Sequence, residues 1–266
     1  MKPPPLQIEK RSVLTLKPLQ TPSITILSYN IAGDTANEAI LALRMRVLAK
    51  IIMAHLPDVV CLLEVSVAGY QVLQRLLNPR YLLFQVFVAE KDKAGEVLLC
   101  LREKTRIVDG TQPYYYDYSV GKGRIIGVEL NLLAFERNMH ILLTKLDDKA
   151  ENADVRAAQF EVLSQVLDPI ESALVVGDFN SFTPDEPVEG LLSGLNLTDA
   201  WVKMGCPASL RNPNKNKEQR ATRIYFKPAA ELQVTKMAML GTSVIKKINT
   251  PPAEHCGLMA TLKSKK

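Results

Sequence analysis

An α/β domain is predicted by three features of the chain. Between residues 23 and 65 a β-rich stretch, a helical stripe and a second buried stretch follow one another. Residues 124–133 alternate apolar and polar side chains, which marks a strand with one covered face. A third apolar run, 173–180, follows another amphipathic helix and ends Gly-Asp-Phe-Asn. The chain has 266 residues, 47% of them hydrophobic, enough for one large core. Two-sheet and α/β domains reach this length undivided.

Taken in order, residues 1–22 contain five prolines and little periodicity, and are expected to form an extended N-terminal arm ahead of a single domain over 23–264. Residues 23–31 read as the first strand. From Thr35, Ile40, Leu43, Val47 and Ile51 recur at helical spacing, and Pro57 stops that helix. Residues 59–65 form a second buried strand closing on Glu64, and a short helix follows over 67–77. Strands are expected at 81–89, 96–102, 124–133 and 139–146. Asp154 can cap a helix whose Val155, Ala158, Val162 and Val166 lie on one stripe. Strand 173–180 comes next, then a partly helical stretch over 187–203, and strands at 223–227, 232–237 and 256–262.

Composition narrows the context. No apolar run approaches the ~18 residues of a membrane span, so no membrane contact is expected. Met-Lys-Pro-Pro-Pro places prolines where a secretory signal needs an apolar segment. This start fits an intracellular protein of nucleus or cytoplasm, although residues 2–17 are basic and hydroxylated enough for a mitochondrial presequence. Cys61, Cys100, Cys206 and Cys256 are scattered and read as reduced thiols. The formal charge of +5 permits a polyanionic partner without demanding one. Most of that excess sits in 211–223, where five basic residues, Arg211, Lys215, Lys217, Arg220 and Arg223, face one acid. This is either a solvated loop or a contact for a nucleic-acid backbone. The tyrosines at 114–118 suit a strand better than a stacking platform for bases.

The chemistry-bearing residues stand at strand ends. Asp178 and Asn180 are two apart, so an extended backbone puts both on one face. They suit a divalent cation or a phosphate oxygen, and equally a polar turn. Asn30, Glu64 and His255 end or precede other apolar runs. Singly each is ordinary; together they form a kit for metal-assisted phosphoester cleavage.

In order, Ser-Tyr-Asn-Ile (28–31), Pro-Asp-Val-Val-Cys-Leu-Leu-Glu-Val (57–65), Gly-Asp-Phe-Asn (177–180) and Glu-His-Cys-Gly-Leu (254–258) resemble the motifs of the endonuclease/exonuclease/phosphatase, or DNase I-like, family. The likeness spans about residues 24–264. It implies a four-layered α/β sandwich, two packed mixed sheets flanked by helices, and a Mg²⁺- or Mn²⁺-dependent phosphodiesterase acting on nucleic acid, DNA and its 5′ ends foremost. By motif position it implies that Glu64 holds the metal with Asn30 and Glu254 nearby. Asp178 would orient the attacking water, Asn180 grip a phosphate oxygen, and His255 stabilise developing charge.

The pattern also departs from the family. Leu63 stands for a glutamine, Ala32 for an acid, Glu254 for an aspartate and Thr222 for the aspartate that orients the final histidine. Lys145 stands where a catalytic histidine belongs. His140, five residues earlier, would face the other way on a strand. General acid–base groups contribute ~10²–10⁴-fold each, so two losses would erode hydrolysis by orders of magnitude. Lys145 can still offer the phosphate a fixed positive charge. The sequence thus carries two readings: an eroded phosphodiesterase, or a degenerate member serving as a nucleic-acid-binding or scaffold subunit with a protein partner.

Overall fold

The computed structural model describes residues 22–32, 37–86, 94–109, 112–133, 135, 137–181, 194–205, 220–228, 231–253 and 255–265. The expected arm over 1–22 falls outside the described residues except for Pro22.

Two sheets are each organised around one parallel pair of strands. In the first, β1 (Ser23–Asn30) runs through α1 (Glu38–His55) into β2 (Val59–Ser66), which lies parallel to β1. In the second, β8 (Arg137–Lys145) runs through α3 (Ala153–Leu167) into β9 (Ala173–Ser181), again parallel. A parallel pair requires such a crossover, and a helix covers the sheet as it returns.

Antiparallel strands complete both sheets. The first has the order β12 (Leu232–Leu240), β13 (Gly257–Ser264), β1, β2, β4 (Ala94–Leu101), β3 (Tyr81–Val86). The second has the order β10 (Thr198–Asp199), β11 (Arg220–Lys227), β9, β8, β7 (Arg124–Leu132), β5 (Thr105–Ile107), with β6 (Tyr114–Asp117) also pairing with β7.

Period-2 alternation sorts the side chains into three cores. Ile24, Ile26, Val59, Cys61, Ile141, Leu143, Leu174 and Val176 pack between the sheets. Leu27, Tyr29, Val60 and Leu62 face outward against α1 and against α2 (Val67–Leu77). Ala173, Val175 and Phe179 face the other way, onto Phe160, Leu163 and Leu167 of α3. The layers are therefore helices, sheet, sheet, helix: a four-layered α/β sandwich.

The caps explain where the helices begin and end. The Asn37 side chain accepts from the backbone N–H groups of Ala39 and Ile40 and so caps α1, which starts at Glu38. Leu56 adopts left-handed backbone just before Pro57 and ends α1. Ser66 closes β2 and caps α2 by accepting from Gly69 N–H.

Both helical stripes lie one position from those expected. In α1 the buried residues are Leu41, Met45, Leu48, Ala49 and Ile52. The helix is apolar at so many positions that spacing alone does not choose the face. In α3 they are Arg156, Gln159, Phe160, Leu163 and Leu167, and Asp154 lies in the first turn while Asn152 is the cap residue. Two polar side chains occupy this stripe because both tie down loops. Arg156 donates to the carbonyls of Lys149 and Ala150. Gln159 donates to the carbonyls of Val120 and Lys122 and accepts from Asp147 N–H. A buried polar group is tolerated when satisfied in this way.

Strand limits shift modestly. The strand expected at 81–89 is described to Val86, the one at 232–237 runs on to Leu240, and the last starts at Gly257. Within 187–203 the described helix is α4 (Ala200–Lys203); residues 187–193 lie outside the described residues. Cys61, Cys100 and Cys256 are free thiols, and Cys206 lies outside the described residues. Among the described residues no helix is long and apolar enough to cross a membrane.

Candidate active site

Both parallel pairs end at the same side of the sandwich, and the polar residues at their carboxyl ends meet there. Carboxyl ends of parallel strands are where open α/β sheets place ligands, because the chain leaves them in loops free to carry function. The inter-sheet parity of β1 includes Ile24, Ile26 and then Asn30, which is 1% exposed. On β9 the same parity carries Leu174, Val176 and then Asp178, also 1% exposed.

Asn30 joins the two sheets. Its Nδ2 donates to Glu64 Oε1 at 2.7 Å and to Asp178 Oδ2 at 2.7 Å. Its Oδ1 accepts from Ala32 N–H at 2.9 Å. The other oxygen of Asp178, Oδ1, accepts from the Thr222 hydroxyl at 2.7 Å. Thr222 lies directly across from Asp178 in the antiparallel β11–β9 pairing. Asp178 is thus fixed by one donor from each sheet.

Glu64 reaches this cluster through a break in its strand. Alternation would send it outward with Leu62. Instead the β2–β4 register shifts between Leu62 and Val65, and Glu64 has φ 57°. A bulge of this kind re-aims one side chain, and here it turns the carboxylate into the site. Ala32 (φ 36°) and Asn180 (φ 49°) are left-handed as well. Three non-glycine residues in a sparsely populated region, all at this end, mark a site that the surrounding structure over-determines.

Lys145 closes β8 in register with Asp178. Its Nζ lies 2.7 Å from Glu64 Oε1 and 2.9 Å from Asp148 Oδ2. Burial raises the Glu64 pKa, but the Lys145 ammonium, the Asn30 amide and the charge of His255 outweigh it, and the net direction is downward. Lys145 is lowered by burial and raised more by Glu64 and Asp148, so its net direction is upward. Asp148 is pulled down, first of all by Lys145. Asp148 was not legible as a site residue. Its one signal is the Lys-Leu-Asp-Asp spacing, which folds back on itself at the strand end.

This triad sets a pH dependence. A carboxyl with a depressed folded pKa stabilises above its unfolded value, ordinarily 4.5 for glutamate, and loses that contribution as pH falls through the folded value. A lysine with a raised pKa stabilises below 10.5 and loses that contribution as pH rises through the folded value. Urea midpoints should therefore fall on the acid side in wild type and fall less in Glu64→Gln. About a third of the Glu64 side chain is open to solvent, so screening limits the difference to ~1 kcal/mol. Equal acid limbs in the two proteins would show that the pair adds nothing.

The remaining candidates are distributed as follows. Asn180 is 6% exposed and its Nδ2 donates to the Leu146 carbonyl at 2.8 Å. His255 precedes β13, close enough to Glu64 to act on its charge. Arg223 is buried, and its Nη1 donates to the Tyr225 hydroxyl at 2.8 Å, on the α3 face of the sheet. The backbone of Arg220 pairs with Ser181 at the end of β9. Glu254, Arg211, Lys215 and Lys217 lie outside the described residues. His140 faces away from the site, beside the Tyr114 hydroxyl. A cavity of about 1030 Å³ opens beside Glu64 and Lys145 and is lined further by Lys122, Arg124, Asp148 and Lys149.

A divalent metal does not fit the described donors. Among them no three His, Cys, Asp or Glu side chains converge as ligands. Glu64 Oε1 is already shared between an amide N–H and an ammonium. Asn30 presents its N–H groups, not its oxygen, to both carboxylates.

Comparison with known proteins agrees with this architecture. The structure of a humanized D. rerio TDP2 superposes with a TM-score of 0.77 at 18% identity, covering 91% of this chain and 100% of that one. D. rerio TDP2 complexed with single strand DNA product gives 0.75 at 20%, covering 91% and 99%. The human Nocturnin catalytic domain with bound sulfate anion gives 0.74 at 20%, covering 92% and 96%. The resemblance to TDP2, tyrosyl-DNA phosphodiesterase 2, also runs through the sequence of residues 220–230. No curated protein matches by sequence. The model of the Endonuclease/Exonuclease/phosphatase family, whose members generally are hydrolases that use divalent metals, matches residues 27–229. The chain belongs to that family.

Proposed function

We propose that the chain binds nucleic-acid phosphodiesters, DNA 5′ ends foremost, at the Asn30–Glu64–Lys145–Asp178–His255 cluster and hydrolyses them slowly. The observation that carries this reading is the fixed orientation of Asp178 between Asn30 and Thr222. Each of its oxygens accepts one of these bonds, and a carboxylate oxygen has room for a second. Asp178 can therefore accept from a water aimed at phosphorus. Lys145 and His255 would neutralise the non-bridging oxygens, and Asn180 has a second amide N–H to offer them. Arg211, Lys215 and Lys217, which precede β11 in the sequence, would follow the phosphate backbone. A TDP2 structure with a DNA product and a Nocturnin structure with sulfate support phosphate as the ligand class.

The family's Mg²⁺ or Mn²⁺ would need Glu64, which Lys145 already engages. That pair favours a second reading, a nucleic-acid-binding subunit without turnover that works beside a protein partner. One experiment separates the two. Labelled single- and double-stranded oligonucleotides are incubated with wild type and Asp178→Asn, and both binding and cleavage are followed. Cleavage that falls ~10²–10⁴-fold in Asp178→Asn supports hydrolysis. Binding with no cleavage above the variant supports the second reading, and absence of binding overturns both.

A further inference from the structure

We infer that Lys145 is a tethered cation occupying the place of a divalent metal at Glu64, so that this site holds its anionic ligand without metal and excludes Mg²⁺ and Mn²⁺. The inference concerns the cation and stands whichever phosphate ester the site takes. Three observations converge on it. The ammonium contacts two carboxylates at once, Glu64 at 2.7 Å and Asp148 at 2.9 Å. A hard divalent cation seeks such oxygens, and a lysine nitrogen at these distances competes with it for the same oxygen atoms. Two cations cannot share one carboxylate oxygen at contact without strong mutual repulsion.

The tether is also firm. Lys145 leaves β8 in register with Asp178, and its side chain is only 20% exposed. Swinging it out would leave Glu64 and Asp178 facing one another across a single amide. Uncompensated charge in such a place is costly. The charge arithmetic is coherent too. One ammonium against two carboxylates leaves the pair less neutralised than a divalent ion would. His255 stands near Glu64, where its ring can add a further N–H donor. An ammonium has three N–H donors. Among the described residues two are engaged, which leaves one for a phosphate oxygen.

The test is a calorimetric titration of Mn²⁺ into wild type, Glu64→Ala, Lys145→Met, Lys145→Ala and the double variant Lys145→Met/Glu64→Ala. Methionine keeps the apolar stem and removes the charge, and alanine removes both. Thermal melting without metal shows that each variant is folded. The expected result is no Glu64-dependent binding in wild type, Mn²⁺ binding about tenfold or more tighter in a folded lysine variant, and loss of that binding in the double variant. Melting of the lysine variants, but not of wild type, should rise with added Mn²⁺. Wild-type binding of Mn²⁺ that disappears in Glu64→Ala would overturn the inference. So would folded lysine variants that bind Mn²⁺ no better than wild type. Neither outcome depends on nucleic-acid binding or cleavage, so failure here is distinguishable from failure of the proposed function.

Discussion

Gly177→Ala is expected to lower the melting temperature by about 10 °C or more, or to prevent the chain from accumulating as a folded protein. Gly177 has φ +139°, and a Cβ there would lie 1.8 Å from the Thr144 carbonyl oxygen on the neighbouring strand. Both the backbone angle and the space forbid a side chain. The atom in the way is main chain of the central parallel pair, so it cannot swing aside as a side-chain tip would. The cost should be about 4 kcal/mol or more. Gly205→Ala is the control. Gly205 also has positive φ, +79°, but among the described residues nothing lies within 4 Å of its added Cβ. It should cost only ~1 kcal/mol. Equal losses in the two variants would show that the backbone angle, not the close approach, governs this position.

Asn30→Asp tests the site with almost no change of shape. It exchanges an amide that donates to two carboxylates for a third carboxylate between them. Asn30 and Asp178 are both essentially inaccessible, so the added charge has little solvent to relieve it. Loss of about 3–5 kcal/mol is expected near neutral pH. The new carboxyl should titrate above its ordinary range, because burial and two like charges oppose ionisation. A carboxyl with a raised folded pKa destabilises above its unfolded value and ceases to do so once protonated in both states. The gap between variant and wild type should therefore narrow as pH falls toward about 4. Asn30→Ala, which removes the donors without adding charge, should cost ~1–3 kcal/mol. Urea midpoints across this pH range measure both variants. A constant gap for Asn30→Asp would mean that the lost hydrogen bonds alone are responsible.

Much of this architecture is legible in the sequence because strands carry strong local signals. The apolar runs at 59–65 and 173–180, and the alternation around Val128, Leu130 and Leu132, report burial directly. Helical faces are less legible where the physics is not hydrophobic. Arg156 and Gln159 look solvent-facing by residue type, yet they sit in the buried stripe of α3 because they hold loop carbonyls. The same limit applies to the site. Period 2 predicts that Asp178 and Asn180 share a face, and the resemblance brings Asn30 and Glu64 alongside. Nothing in the local pattern announces the bulge that turns Glu64 inward, or that Lys145, 81 positions later and in the other sheet, rests on it. Contacts between sheets are set by how the layers stack, and short-range spacing carries no record of that. Thr222 is similar. Read as a lost acid, it is in the fold a hydroxyl donor that keeps Asp178 oriented.

The paired crossovers have a consequence for how such a protein changes over time. Each half supplies part of the polar cluster, Asn30 and Glu64 from one sheet, Lys145, Asp178 and Thr222 from the other. The cluster is therefore a rivet between the layers as well as a place for chemistry. A lineage that stops cleaving its substrate does not become free to discard these residues, because the seam would open with them. Removing any member of the cluster thus carries a mechanical cost that is separate from its chemical one.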